Sequence, residues 1–216
     1  YTIMFHLGMT GKIIIVDENQ NKYATSFYYK SNDYKDLHNH IIFKFNKKIK
    51  LIYNDVRKFG FIKIYKKSKL EQSFHLKKLG PEPLSEKFNL SYFTNKIKNR
   101  NIFLKDILMD QKFLSGLGNI YVNEAIFLSS LSPKVRAKNI PHNKIINLIS
   151  NIKKVLKKAI KEGGSSIKDF NDSKGKKGNF QQFFNVYGRE GKTCTRSNCI
   201  GKIKRIRISN RSTFFL

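Results

Sequence analysis

Over residues 1 to about 80, apolar and aromatic positions come in short runs rather than at helical intervals. Residues 12–16, 23–29, 41–45, 50–53 and 59–65 are rich in β-branched and aromatic side chains, which suit a pleated, half-buried surface. Polar segments separate the runs, among them Asp17-Glu18-Asn19-Gln20-Asn21 and Asn46-Lys47-Lys48. Such residues tolerate the tight backbone of a chain reversal. The pattern predicts a meander or sandwich of strands. Gly80-Pro81-Glu82-Pro83 ends it, because neither proline can donate to a ladder.

Beyond that break the period changes. Ile145, Ile146, Leu148, Ile149, Ile152, Val155, Leu156, Ala159 and Ile160 recur at helical spacing, with Lys153, Lys154, Lys157, Lys158 and Lys161 on the other side. Gly163-Gly164 is placed to end that helix. An earlier helix pair is predicted around Gly116-Leu117-Gly118-Asn119, with Asn119 as the N-cap of a helix over 120–128. Residues 171–179 are polar and glycine-rich and predict a mobile loop. A short module containing Cys194 and Cys199 closes the sequence. The class is α+β in three parts: a β-rich segment 1–80, a helical segment 81–182 and the module 183–216.

Composition narrows the partners. Forty-three Lys and Arg oppose 15 Asp and Glu, a formal charge of +28. Self-repulsion on that scale is most easily tolerated when the partner is a polyanion, and nucleic acid leads. A lysine bias spread through the whole composition is the bland alternative, but it does not explain the scarcity of acids. No apolar run reaches the roughly 18 to 20 residues of a membrane span. The opening Tyr1-Thr2-Ile3-Met4 is not a secretory leader, and no strongly amphipathic interfacial helix stands out. The expectation is a soluble, cytoplasmic monomer without membrane partners. Two cysteines make no disulfide framework. They are either two free thiols or one side of a four-ligand zinc site.

Read in order, His6-Leu7-Gly8-Met9-Thr10-Gly11, Leu79-Gly80-Pro81-Glu82-Pro83-Leu84 and Gly116-Leu117-Gly118-Asn119-Ile120-Tyr121 resemble the formamidopyrimidine-DNA glycosylases. Gly163-Gly164-Ser165-Ser166-Ile167-Lys168-Asp169-Phe170 and Val186-Tyr187-Gly188-Arg189 continue the resemblance over essentially the whole chain. It implies a partial N-terminal β-sandwich, a helix–two-turns–helix domain and a C-terminal zinc-finger-like β-hairpin. Met9, Arg57 and Phe59 match the residues that the family uses to fill the gap left by an everted base. An exposed Met in a hairpin has that physical use, although a Met, like a strand-end Phe, can equally be core. Asn119, beside two glycines at a helix start, matches a phosphate contact. His38 matches a DNA-contacting residue, against the alternative of a solvated side chain. Asn101 departs from the Lys or Arg usual there, with Arg100 as its substitute. Arg211 matches the finger arginine that grips the phosphate at the lesion and donates a proton in the second elimination. The loop over 171–179 would close over the everted base.

Two departures complicate the match. The family's second cysteine pair follows a Thr-aromatic-aromatic segment; here Thr213-Phe214-Phe215 is followed by Leu216, where a third ligand is expected. The finger is therefore degenerate or has an altered ligand set, with zinc as the family's cofactor and Cys194 and Cys199 as its surviving ligands. The family's nucleophile is a terminal proline amine followed by a glutamate. Pro81, Pro83, Pro133 and Pro141 are all internal, so the expectation is a fragment lacking the catalytic N-terminus and its nucleophile. The function implied for the intact protein is excision of oxidised purines, such as formamidopyrimidines and 8-oxoguanine, from duplex DNA in the bacterial cytoplasm, with cleavage at the abasic site. The rivals are a non-catalytic damaged-DNA-binding paralogue and a basic ribosome-associated RNA protein.

Overall fold

The computed structural model describes residues 1–8, 10–24, 35–45, 48–165 and 179–216. Met9 and most of the loop predicted over 171–179 lie outside them. The described residues form two compact units: Tyr1–Ser73 with Glu162–Gln181, and Phe74–Lys161 with Gln182–Leu216.

The first unit is a β-sandwich domain. Strands β1 (Thr2–His6) and β6 (Phe61–Tyr65) pair antiparallel. The second sheet, in the order β3-β2-β5-β4, combines β2 (Gly11–Val16), β3 (Lys22–Ala24), β4 (Asn39–Phe45) and β5 (Ile49–Asp55). Side chains of its central strands alternate between the two faces. Ile14 and Val16 of β2 are buried with Ile52 of β5, while Ile15 between them is exposed. Phe5 of β1 meets Phe43 of β4 edge to face, with ring centres 6.0 Å apart, which joins the two sheets. The Asp17 carboxylate accepts the Asn19 and Asn21 amides at 2.9 and 2.8 Å and closes the β2–β3 turn.

The second unit is helical with a terminal hairpin. After the single turn α1 (Phe74–Lys77) come α2 (Leu90–Ile97), α3 (Leu104–Met109), α4 (Asn119–Leu128) and α5 (His142–Lys161). Asn89 caps α2 by accepting the Tyr92 amide at 2.9 Å. On α5, Ile145, Leu148, Ile149, Ile152, Val155 and Ala159 of the predicted stripe are buried, whereas Ile146 and Ile160, also assigned to it, are exposed. The helix stops before Gly163 and Gly164, whose φ of 70° and 87° suit glycine. α4 is different, with Val122 through Phe127 buried all round. Strands β7 (Lys204–Ile208) and β8 (Arg211–Phe215) form a hairpin. Ser209 and Asn210, at φ 44° and 61°, make its two-residue turn. No helix among the described residues is long and apolar enough to cross a membrane.

One local expectation fails. Asn119 is the first residue of α4 rather than its cap; Gly118 is the cap, with no side-chain hydrogen bond. The Asn119 side chain is used elsewhere.

Candidate nucleic-acid interface

In the second unit the basic and polar candidates gather where β8 meets α3 and α4. Asn119 Nδ2 donates to the Ser212 carbonyl oxygen at 3.1 Å. Lys105 Nζ donates to the same carbonyl at 3.0 Å and to Thr213 Oγ1 at 2.6 Å. One turn further along α4, Asn123 Oδ1 accepts the Phe214 amide at 2.9 Å. The start of β8 is thereby tied to two helices, and Arg211, exposed at its first position, is held beside the N-terminus of α4. A helix start beside an exposed guanidinium is an arrangement chemically able to take a phosphate.

Lys105 is the member that sequence reasoning missed. It is 1% exposed. Burial first, and the positive charge of Arg211 second, push its amine down to about 8, opposed by Asp106. In Phe103-Leu104-Lys105-Asp106-Ile107-Leu108 it reads as the polar side of a short helix, and no spacing marks it out. Glu124 was missed for the same reason. It is 1% exposed, and its carboxylate accepts the Asn185, Val186 and Tyr187 amides at 2.8, 3.0 and 2.9 Å. It fixes the segment leading into Val186-Tyr187-Gly188-Arg189.

Arg100 and Asn101 lie exposed between α2 and α3. The Asn101 carbonyl accepts Arg136 Nη1 at 3.0 Å, and Arg136 stacks on Phe103 with its guanidinium carbon 4.3 Å from the ring centre. That puts another cation beside Asn101.

The first unit carries the other set. Arg57 and Phe59 project from the β5–β6 turn, with the Arg57 guanidinium carbon 4.5 Å from the centre of the Phe59 ring. Phe59 is 59% exposed, not the core residue that a strand-end Phe could have been. Lys58 between them has a φ of 58°. His38 is half-buried, ending a 3-10 turn before β4.

Several comparisons bear on this geometry. A family model described as the formamidopyrimidine-DNA glycosylase H2TH domain matches residues 79–171. Another, the N-terminal domain of the same glycosylase, matches residues 1–62. A formamidopyrimidine-DNA glycosylase of Roseobacter denitrificans is 37% identical over 214 residues, covering 99% of this chain and 74% of the relative. The chain belongs to the formamidopyrimidine-DNA glycosylase family. Another member, from Rhodopseudomonas palustris, is 38% identical over 219 residues, covering 99% of this chain and 74% of its own. Among solved structures, the Lactococcus lactis enzyme bound to DNA with an abasic site superposes with a TM-score of 0.79 at 33% identity, over 99% of this chain and 72% of that one. Its G226P variant bound to DNA containing Fapy-dG gives 0.80 at 32%, with the same coverage.

These findings correct one expectation. The match of the N-terminal domain to residues 1–62 overturns a chain lacking its catalytic N-terminal domain, and with it the inference that the nucleophile is lost.

The zinc-finger expectation also changes. Cys194 is buried and Cys199 half-buried, both free, against Phe127, Val186, Ile203 and Phe214. Leu216 lies on the same side: a Cβ built on Gly201 would stand 2.8 Å from Leu216 Cδ1 and 3.6 Å from Cys199 Sγ. Among the described residues no group of three or more His, Cys, Asp or Glu could hold a metal. Two thiols in an apolar cluster do not fit a four-ligand zinc site.

Proposed function

We propose that the protein is a base-excision glycosylase and abasic-site lyase that removes oxidised purines, such as formamidopyrimidines and 8-oxoguanine, from duplex DNA. The observation that carries this is the tie of Asn119 and buried Lys105 to the Ser212 carbonyl, which holds the exposed Arg211 just before it near the start of α4, a positively charged grip for one DNA phosphate. The stacked Arg57–Phe59 pair supports it, as an exposed flat wedge able to stand in for an everted base while the arginine faces the base left behind. In this reading Met9, His38, Arg100 and Asn101 add backbone and gap contacts, and Arg211 also serves proton transfer during elimination. The relatives' solved complexes hold abasic-site and Fapy-dG DNA, ligands of the class proposed.

A second reading, a non-catalytic damaged-DNA-binding paralogue, draws on Leu216 standing where a metal ligand is expected. Borohydride trapping separates the two. An 8-oxoguanine duplex incubated with the full-length gene product and borohydride should give a covalent protein–DNA adduct, because glycosylase-lyases pass through an iminium. Tight binding to the damaged duplex with neither adduct nor strand cleavage would establish the paralogue instead.

A further inference from the structure

The last residue of β5 is a fully buried aspartate. Asp55 is 0% exposed, and donors from three segments meet on its carboxylate. Oδ1 accepts the Thr10 hydroxyl and, at 3.2 Å, the Arg57 amide. Oδ2 accepts the Tyr53 hydroxyl at 3.0 Å and the Gly60 amide at 3.1 Å. Thr10 Oγ1 in turn accepts the Arg57 amide at 3.1 Å. Thr10 belongs to the β1–β2 turn, which is closed by the Gly11 amide on the Leu7 carbonyl at 2.8 Å. Arg57 and Gly60 bracket the β5–β6 turn that presents Phe59.

Burial alone would push the Asp55 carboxyl up, yet the bonds from Thr10, Gly60, Tyr53 and Arg57 outweigh it and leave the group below its ordinary value. Tyr53, raised to about 12 by burial and by Asp55, stays a donor throughout the working pH range. The two turns also touch directly. A Cβ on Gly8, whose φ is 61°, would stand 3.0 Å from the Phe59 carbonyl carbon and 3.1 Å from the Phe59 Cβ. A Cβ on Gly60 would collide with the Tyr53 hydroxyl. A buried charge is an unusual way to finish a strand, because it must be saturated with donors to be tolerated. Here the donors include the two peptide amides that flank the exposed wedge. Packing holds that turn weakly, with Val56 46% and Phe59 59% exposed.

We propose that Asp55, with Thr10 and Tyr53, is a positioning residue for lesion recognition: it clamps the β1–β2 and β5–β6 turns so that Arg57 and Phe59 enter the base stack as one preset unit. The proposal rests on the gap-filling role given to Arg57 and Phe59 above. The clamp removes the freedom of a four-residue turn before DNA arrives, so less ordering is left for the moment of eversion.

The test uses two duplexes, one undamaged and one carrying a stable abasic-site analogue with 2-aminopurine as its neighbour, whose fluorescence rises on unstacking. Asp55→Asn should lower the preference for the analogue duplex about tenfold, the scale of one hydrogen bond to a charged group. It should abolish most of the fluorescence rise, while affinity for undamaged DNA stays within about twofold. Thr10→Val should lose several-fold of the preference, and Asp55→Asn combined with Phe59→Ala should be no worse than Phe59→Ala alone. An unchanged preference in Asp55→Asn, or losses that add in the double variant, would overturn the clamp. Should Asp55→Asn fail to fold, Thr10→Val and Tyr53→Phe, which keep the carboxylate, decide by the same readouts. If Phe59→Ala leaves both readouts unchanged, the gap-filling reading itself fails; if it acts alone, only the clamp does.

Discussion

Lys105 combines two demands that pull apart. Its ammonium is buried under β8, where it holds the Ser212 carbonyl and the Thr213 hydroxyl, and it sits close enough to Arg211 for the two charges to repel. With its amine lowered to about 8, folding releases a proton between about pH 8 and the ordinary lysine value near 10.5. The folded state is therefore penalised below about pH 8 and gains stability as the pH rises from there towards 10.5. DNA binding should run the other way, because neutralising Lys105 removes a positive charge from beneath the proposed phosphate grip at Arg211. We expect affinity for duplex DNA to fall between pH 7 and 9, and the fall to be much shallower in Lys105→Met. An equal fall in both proteins would assign the titration to another group. Glu124 makes the same argument for stability alone. Replacing its carboxylate by an amide keeps one acceptor oxygen and turns the other into a donor, which then faces either the Asn185 amide or those of Val186 and Tyr187. Glu124→Gln should cost about 2–3 kcal/mol in a urea titration, with little change in the lesion preference of the folded protein.

The elements differ in how far the sequence disclosed them. α5 was legible almost to its ends, because Ile145 through Ala159 keep one apolar face and lysines the other. The strands were legible wherever one face is buried, as in Ile14 and Val16. Asn119 was misjudged as a cap because Gly-Leu-Gly-Asn is a sound local cap signal, whereas its true partner is the carbonyl of Ser212 on β8, distant in sequence. Lys105, Glu124 and Asp55 escaped for one reason. A pattern that assigns charge to the surface has no means of marking a charge whose partners arrive from remote segments. The β7–β8 hairpin shows the consequence. A small cysteine module ordinarily draws its order from a metal, but this hairpin is tied to α3 and α4 by Lys105, Asn119 and Asn123. We expect the purified protein to hold well under one zinc per chain, and a chelator to leave its urea midpoint unchanged. Stoichiometric zinc, or a midpoint that drops on chelation, would mean that other ligands complete the site.

At the scale of the whole molecule the charge is the dominant fact. Fifteen acids can neutralise at most 15 of 43 basic side chains, so the surface field is strongly positive at any physiological pH. Such a field attracts any polyanion at low salt, and what separates a DNA-repair protein from a general RNA binder is what survives when the field is screened. Binding to duplex DNA should weaken with salt along a straight log–log line, with a slope of about −0.9 per phosphate neutralised. Arg211→Ala removes one proposed phosphate contact. It should make that slope shallower by about one and weaken lesion-bearing and undamaged duplexes alike, whereas Phe59→Ala should leave the slope alone and reduce only the preference for the lesion. A-form RNA offers a different groove shape and phosphate spacing, so near 0.2 M salt it should compete poorly for a site built around B-form DNA. The measurement is a salt titration of the protein and both variants against lesion duplex, undamaged duplex and RNA duplex. Equal affinity for RNA and lesion DNA at the highest salt would transfer the basic surface to an RNA partner and leave the Arg57–Phe59 pair without the role assigned to it.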